Sequence, residues 1–366
     1  MARQVTRTRL IIGAVIIVVL ADIGFGFYWN IEPDPLRRPR PDQIVGVATT
    51  SQLIGSIEAL LHKHGGFLSN DVIPPGVLMD NMPNWEYGAL IQLRDFTYML
   101  RNQWSRPQAQ SAGDPDLAKA FPKLNISRKS WMFPRAESSY GEAAEFLKHY
   151  RDRLAGKTGP AAEFLNRPNN LDLWLRVVSR RLGGLTQDLA QVGAASGSLR
   201  LFRGPNPLQP QEPAAAPSVS GMPQLDELVP AADNAPAEEP APGEGAAPQP
   251  DHGVQGNPRG GAEPLDHSWL LADDYFYRAR GAAWALLNLC RGIEVDFHDQ
   301  LEQKQALDSF HFLEQTLEAS QKTITTPVIM SGEYFSMVPN HPLTMAAFMA
   351  SANATVINIR RLMIAD

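Results

Sequence analysis

The twenty residues LIIGAVIIVVLADIGFGFYW, Leu10 to Trp29, constrain where the rest of this chain can fold. As a helix they extend about 30 Å, the thickness of a bilayer's hydrocarbon core. Arg3, Arg7 and Arg9 precede the run; Glu32 and Asp34 follow it, and no basic residue returns before Arg37. The positive-inside rule then leaves residues 1–9 in the cytoplasm and carries everything after Trp29 across the membrane. Phe25, Phe27, Tyr28 and Trp29 form the aromatic belt expected at the outer headgroup level. The rival reading is a cleaved signal peptide, with Gly24 and Gly26 as the small residues before a cut. The run is long for that purpose, and the belt would serve nothing once removed. Asp22, in the outer half, reads as a snorkelling or neutral carboxylic acid, or else as a polar contact to another membrane helix.

Beyond the anchor (10–29) the pattern is helical. The Pro-rich segment 30–43 reads as an extended stalk. In TTSQLIGSIEALLHKHGG, Leu53, Ile54, Ile57, Leu60 and Leu61 recur at helical spacing before a Gly65-Gly66 stop. A second helix is expected from about Asn84 to Trp104. A short one follows Asp114 as N-cap, with Pro115 in its first turn. Another ends at Gly156, and a longer one is capped by Asn170 and bent at Gly183-Gly184. From Ser268 to Gln305 the choice lies between one long helix and two divided near Gly281 or Gly292. The uncharged stretch from Gly281 to Cys290 is what the central helix of a bundle looks like. Two more helices follow, the last opening on His341-Pro342. Strand signals are few and broken by proline.

Between these halves, residues 203–264 are Pro, Ala, Gly and Glu with almost no large apolar side chain, a composition that predicts disorder. One apolar island, Met222 to Pro230, is either a docking helix or incidental. The tract holds about nine acidic and two basic residues, so it accounts for the net charge of −6 and leaves the remainder near neutral. A near-neutral body lacks the clustered basic face of a nucleic-acid binder. The expected fold is all-α: residues 44–202 and 265–366 form two parts of one helical bundle interrupted by this insertion. Two small helical domains are the alternative. Cys290 is the only cysteine, which excludes intramolecular disulfides and multi-thiolate zinc sites; its apolar context reads as an inert buried thiol.

Candidate chemistry is sparse. In FLSNDVIPPGVLMDNMPNWEYGAL, Phe67 to Leu90, the carboxylates and amides match no calcium-loop spacing. Turn and cap residues are the simpler account, with Trp85 as an anchor beneath an inter-helix corner. Asp80 with Glu86 is the weak candidate pair for glycan hydrolysis, which needs two carboxylates flanking one bond. Glu294, His298, Asp308 and His311 are the weak candidate metal ligands. The Glu-x-x-His arrangement of di-iron bundles would have to occur twice, and it does not. No nucleophile elbow, P-loop or dinucleotide fingerprint is visible, and no cofactor is expected.

The run GGFLSNDVIPPGVLMDNMPNWEYGALIQLRDF, with QSAGDPDLAKAFPKLNI and SWMFPRAESSYGEA, resembles a group of proteobacterial inner-membrane proteins known as domain of unknown function 2333. The resemblance covers both ordered portions. It implies a single-pass anchor in the bacterial inner membrane and a helical periplasmic body, and it supplies no catalytic residues. The leading expectation is therefore a scaffold or accessory subunit of a cell-envelope complex, leaning away from an enzyme, with a protein partner, a bilayer contact through residues 10–29 and no nucleic acid. An envelope hydrolase and a metal- or ligand-binding helical module are the alternatives.

Overall fold

The computed structural model describes residues 2–41, 44–106, 113–195, 271–324, 329–332 and 337–364. The acidic Pro/Ala tract expected over 203–264, with its apolar island, lies outside the described residues. Among the described residues there is no strand, and the one β-type pairing is an isolated antiparallel bridge between Ser331 and Asn340. Helix α1 spans Ala2–Trp29; no residue of its apolar portion, Ile12–Trp29, is buried, and its last turn touches the body. That portion is long and apolar enough for a membrane span or a signal sequence.

The body contains α2 (Val47–His62), α3 (Asn81–Met99, continued by a wider π turn to Trp104), α4 (Pro115–Leu124), α5 (Ala136–Leu154), α6 (Pro168–Ala195), α7 (Ala272–Asp296), α8 (His298–Gln303), α9 (Leu307–Ala319) and α10 (His341–Ile364). Helix α7 is the axis, with α2, α3, α6, α9 and α10 against it. Its stretch from Gly281 to Cys290 is buried all round, which is why no charge occurs there. Helix α10 lies along α6, while α5 pairs with α4 and α2. Elements before and after the acidic tract therefore interleave in one unit, Met1–Ser198 with Ser268–Asp366. Helix α10 also has the length and hydropathy of a span, but it buries Met345, Met349, Val356 and Ile359 within the bundle.

Two local expectations change. Neither Gly281 nor Gly292 breaks α7; the helix ends at Phe297, a fully buried aromatic. Gly292 instead lets α2 approach, because a Cβ there would stand 2.6 Å from the Thr49 Cα. Asn170 lies inside α6 rather than capping it, and its Nδ2 donates to the Leu165 and Gln103 carbonyls. By contrast, Asp114 caps α4 as its position predicts, accepting from Asp116 N at 3.0 Å and Leu117 N at 3.3 Å.

The Pro-rich segment after α1 is extended, yet it is no free stalk. It runs along α7 as a strap. Arg280 donates to both oxygens of Glu32, the closest contact being 2.6 Å. Asn288 Oδ1 accepts from Leu36 N at 2.9 Å, and Arg291 donates to the Leu36 carbonyl. Beyond them Arg38 donates to Glu294 and Glu314. Residues 280, 288, 291 and 294 recur close to the helical period, so one polar face of α7 lines the strap, with Glu314 of α9 and Gln52 of α2 adding to it.

Candidate functional site

The corner between α2 and α3 is built around a buried ion pair. Gly65 and Gly66 adopt φ of 79° and 73°, the left-handed backbone that turns the chain after α2. This turn folds Lys63 back, so that its Nζ meets Glu86 at 2.8 Å and the Gly66 carbonyl at 2.6 Å. Glu86 is 0% exposed and accepts further from Leu68 N and Ser69 N, each at 2.8 Å, and from Ser69 Oγ at 2.6 Å. Four donors fill its acceptor positions, so nothing is left for a substrate. Asp80 is exposed and caps α3 through Asn81 N. The two candidate catalytic carboxylates are thus a helix cap and a sealed fastener. Beneath them Trp85 is fully buried with its ring 5.0 Å from that of Trp284.

The candidate metal ligands divide in two. Glu294 accepts from, or donates to, His311 Nε2 at 2.7 Å, depending on protonation, and both sit where the strap ends at Arg38. His298 is exposed at the start of α8, and Asp308 is exposed on α9, one turn before His311. The residue that completes the cluster is Glu314, which the sequence reading passed over. Burial, then the charge of Glu294, pushes its carboxyl up to about 8. At neutral pH Glu314 accordingly holds a proton. For Glu294, burial acts upward, but hydrogen bonds from His311 and Glu314 and the charge of Arg38 hold the carboxyl below its ordinary range. No group of three or more His, Cys, Asp or Glu suited to a metal ion occurs among the described residues. The nearby Cys290 is fully buried, and burial raises its thiol well above the usual range, which keeps it protonated.

The same pattern holds elsewhere. Asp95 pairs with Arg181 and Asp172 with Arg176 and Arg360. Arg94 donates to the Leu124 and Ile126 carbonyls, and Asp296, at the end of α7, accepts from Thr49 N at the start of α2. Each buried charged side chain among the described residues joins segments or steadies a helix end.

A shallow groove lies between α9 and α10. Two depressions of about 450 Å³ and 460 Å³ share Phe312 and Ser351 and run from Asp308 and Asn358 to Ala319 and Thr344. Phe312 stands half exposed in its floor. The lining is uncharged apart from Asp308 and carries Phe312 and Phe348 among small residues, which suits a packed helix or strand better than an ionic ligand.

These features define an all-helical bundle with an exposed apolar N-terminal helix and with its buried charges held in pairs and helix-end contacts. The chain belongs to DUF2333, a family of uncharacterised proteins conserved in bacteria, which matches residues 2–209 and 248–365. The unmatched residues 210–247 fall inside the Pro/Ala/Glu tract. No curated protein and no solved structure matches the chain.

Proposed function

We propose that this is a single-pass inner-membrane protein whose helical body stands in the periplasm as a scaffold or accessory subunit of a cell-envelope complex. The observation that carries the reading is the junction between α1 and the body. Trp29 packs on Gly65, where a Cβ would lie 2.6 Å from its ring; the Tyr28 ring is 4.5 Å from that of His64; and the strap follows directly. An apolar helix held this way fixes the height and orientation of the body, whereas a flexible tether would only confine it. The charge flanking α1 supports a cytoplasmic N-terminus. Fixed presentation suits binding, and the groove between α9 and α10 is the surface it presents.

Reporter enzymes fused after Asp366 test the topology: activity in the periplasm and silence in the cytosol are expected, and the reverse overturns it. For the partner, a photoreactive residue at Ser351 in cells should yield a discrete crosslinked adduct, and affinity purification from native membranes should return the same protein. A clean monomer with no adduct across growth conditions overturns the scaffold reading.

A further inference from the structure

We infer that two apolar loops of the body, Val72–Leu78 and Trp131–Phe133, dip into the outer leaflet beside α1 and form a second, monotopic contact with the bilayer. This rests on the reading of α1 as a membrane anchor. Exposed large apolar residues outside α1 concentrate in these loops. Phe133 is 96% exposed, Leu78 74% and Ile73 71%, while Val72, Val77, Trp131 and Met132 are each about half exposed. Seven such side chains in two neighbouring tips form the kind of patch that soluble surfaces avoid.

Their position points to the occupant. Pro75, at the tip of the first loop, lies 4.0 Å from where a Cβ on Gly26 would stand. Gly26 is three residues before the end of α1, about 4.5 Å deeper along the helix than Trp29. The first loop therefore lies beside the last turn of the apolar helix, level with Phe25 and Phe27. Asn70, just before it, donates to the Ser130 carbonyl at 2.9 Å and to Glu137 at 2.8 Å, which ties the second loop alongside. That loop is closed at its base: Ser130 Oγ donates to the Pro134 carbonyl at 2.6 Å, and the Ser130 carbonyl accepts from Ala136 N at 2.9 Å. Its tip, Trp-Met-Phe, is held outward. Lys129 and Arg135 flank the tip, the basic residues that accompany interfacial aromatics near anionic headgroups. A second copy of the chain would also cover apolar tips, but the contact with α1 puts these at the level of lipid.

The test uses the full-length chain with Cys290→Ala, reconstituted in vesicles of phosphatidylethanolamine and phosphatidylglycerol. Single cysteines at Leu78, Phe133, Ile17 and Ile364 carry an environment-sensitive fluorophore, and lipids bearing a quencher near the headgroup or deep in the chain report depth. The inference expects probes at Leu78 and Phe133 to shift to the blue and lose most of their emission to the shallow quencher. Ile17 should respond to the deep quencher and Ile364 to neither. A quenched Ile17 with unquenched Leu78 and Phe133 overturns the inference and leaves the anchor standing. Energy transfer between copies at Phe133 without lipid quenching also overturns it, in favour of self-association. An unquenched Ile17 overturns the anchor reading itself, and this inference with it.

Discussion

Gly88 of α3 and Gly281 of α7 hold their helices backbone to backbone. A Cβ on Gly281 would stand 1.8 Å from the Trp85 carbonyl oxygen, and one on Gly88 would stand 1.9 Å from the Arg278 carbonyl oxygen. No rotamer change relieves either clash, because the atoms met are main chain. Just beside this crossing, Tyr87 lies between two guanidinium groups, Arg128 at 4.5 Å and Arg278 at 4.6 Å from its ring centre.

Gly281→Ala is expected to destabilise the body by about 3 kcal/mol or more, since the two helices must separate. Gly184→Ala, with nothing within 4 Å of its added methyl, should be neutral or slightly stabilising. Denaturant unfolding of the two variants side by side gives the comparison.

Glu86→Gln leaves the Lys63 ammonium buried without a counter-charge. A loss of about 3–5 kcal/mol is expected, with Lys63→Met at Glu86→Gln recovering part of it. If the single variant folds and complements a deletion strain fully, Glu86 carries no chemistry in that strain; thermal melts decide its structural share.

Glu314 sets a pH dependence. Its folded carboxyl sits at about 8 against an ordinary 4.5, so folding takes up a proton between those values. This group's contribution is therefore fully present below about 4.5 and is lost as pH rises through about 8. Glu314→Gln removes that titration while keeping a polar partner for Arg38. The melting temperature of Glu314→Gln minus that of the unaltered protein should grow from about pH 5 to about pH 8 and then level off.

Glu32→Ala frees the strap at its first clasp, leaving Arg280 with only the Ser320, Gln321 and Lys322 carbonyls. Arg37, followed by Arg38, places a trypsin site in the strap, whereas Pro39 and Pro41 protect the bonds after Arg38 and Arg40. Cleavage there is expected to accelerate roughly tenfold or more, as local opening governs the rate. An unchanged rate means that the Leu36 and Arg38 contacts hold the strap without Glu32.

Helix existence was legible wherever apolar residues recur at helical spacing, as in α2 and α5, and wherever a cap signal such as Asp114-Pro115 occurs. Gly281 and Gly292 misled because glycine marks both helix breaks and helix crossings, and only the partner helix tells which. The strap was invisible because Arg280 and Glu32 lie 248 residues apart, beyond any local pattern. The corner was readable from its Asn, Asp, Pro and Gly residues, but Lys63 as the counter-charge of Glu86 was not. Glu314, inside the apolar run FHFLEQTL, carried one faint signal: it sits three residues after His311 on the same helix face.

The clasp also imposes an order of events on biosynthesis. Glu32 leaves the ribosome 248 residues ahead of Arg280, which at about 5–20 residues per second is a delay of some tens of seconds. Throughout that interval the nascent amino-terminal arm has no groove to lie in. It can be sewn down only when α7 emerges, so synthesis of that helix is what cocks the finished body against its own leading helix.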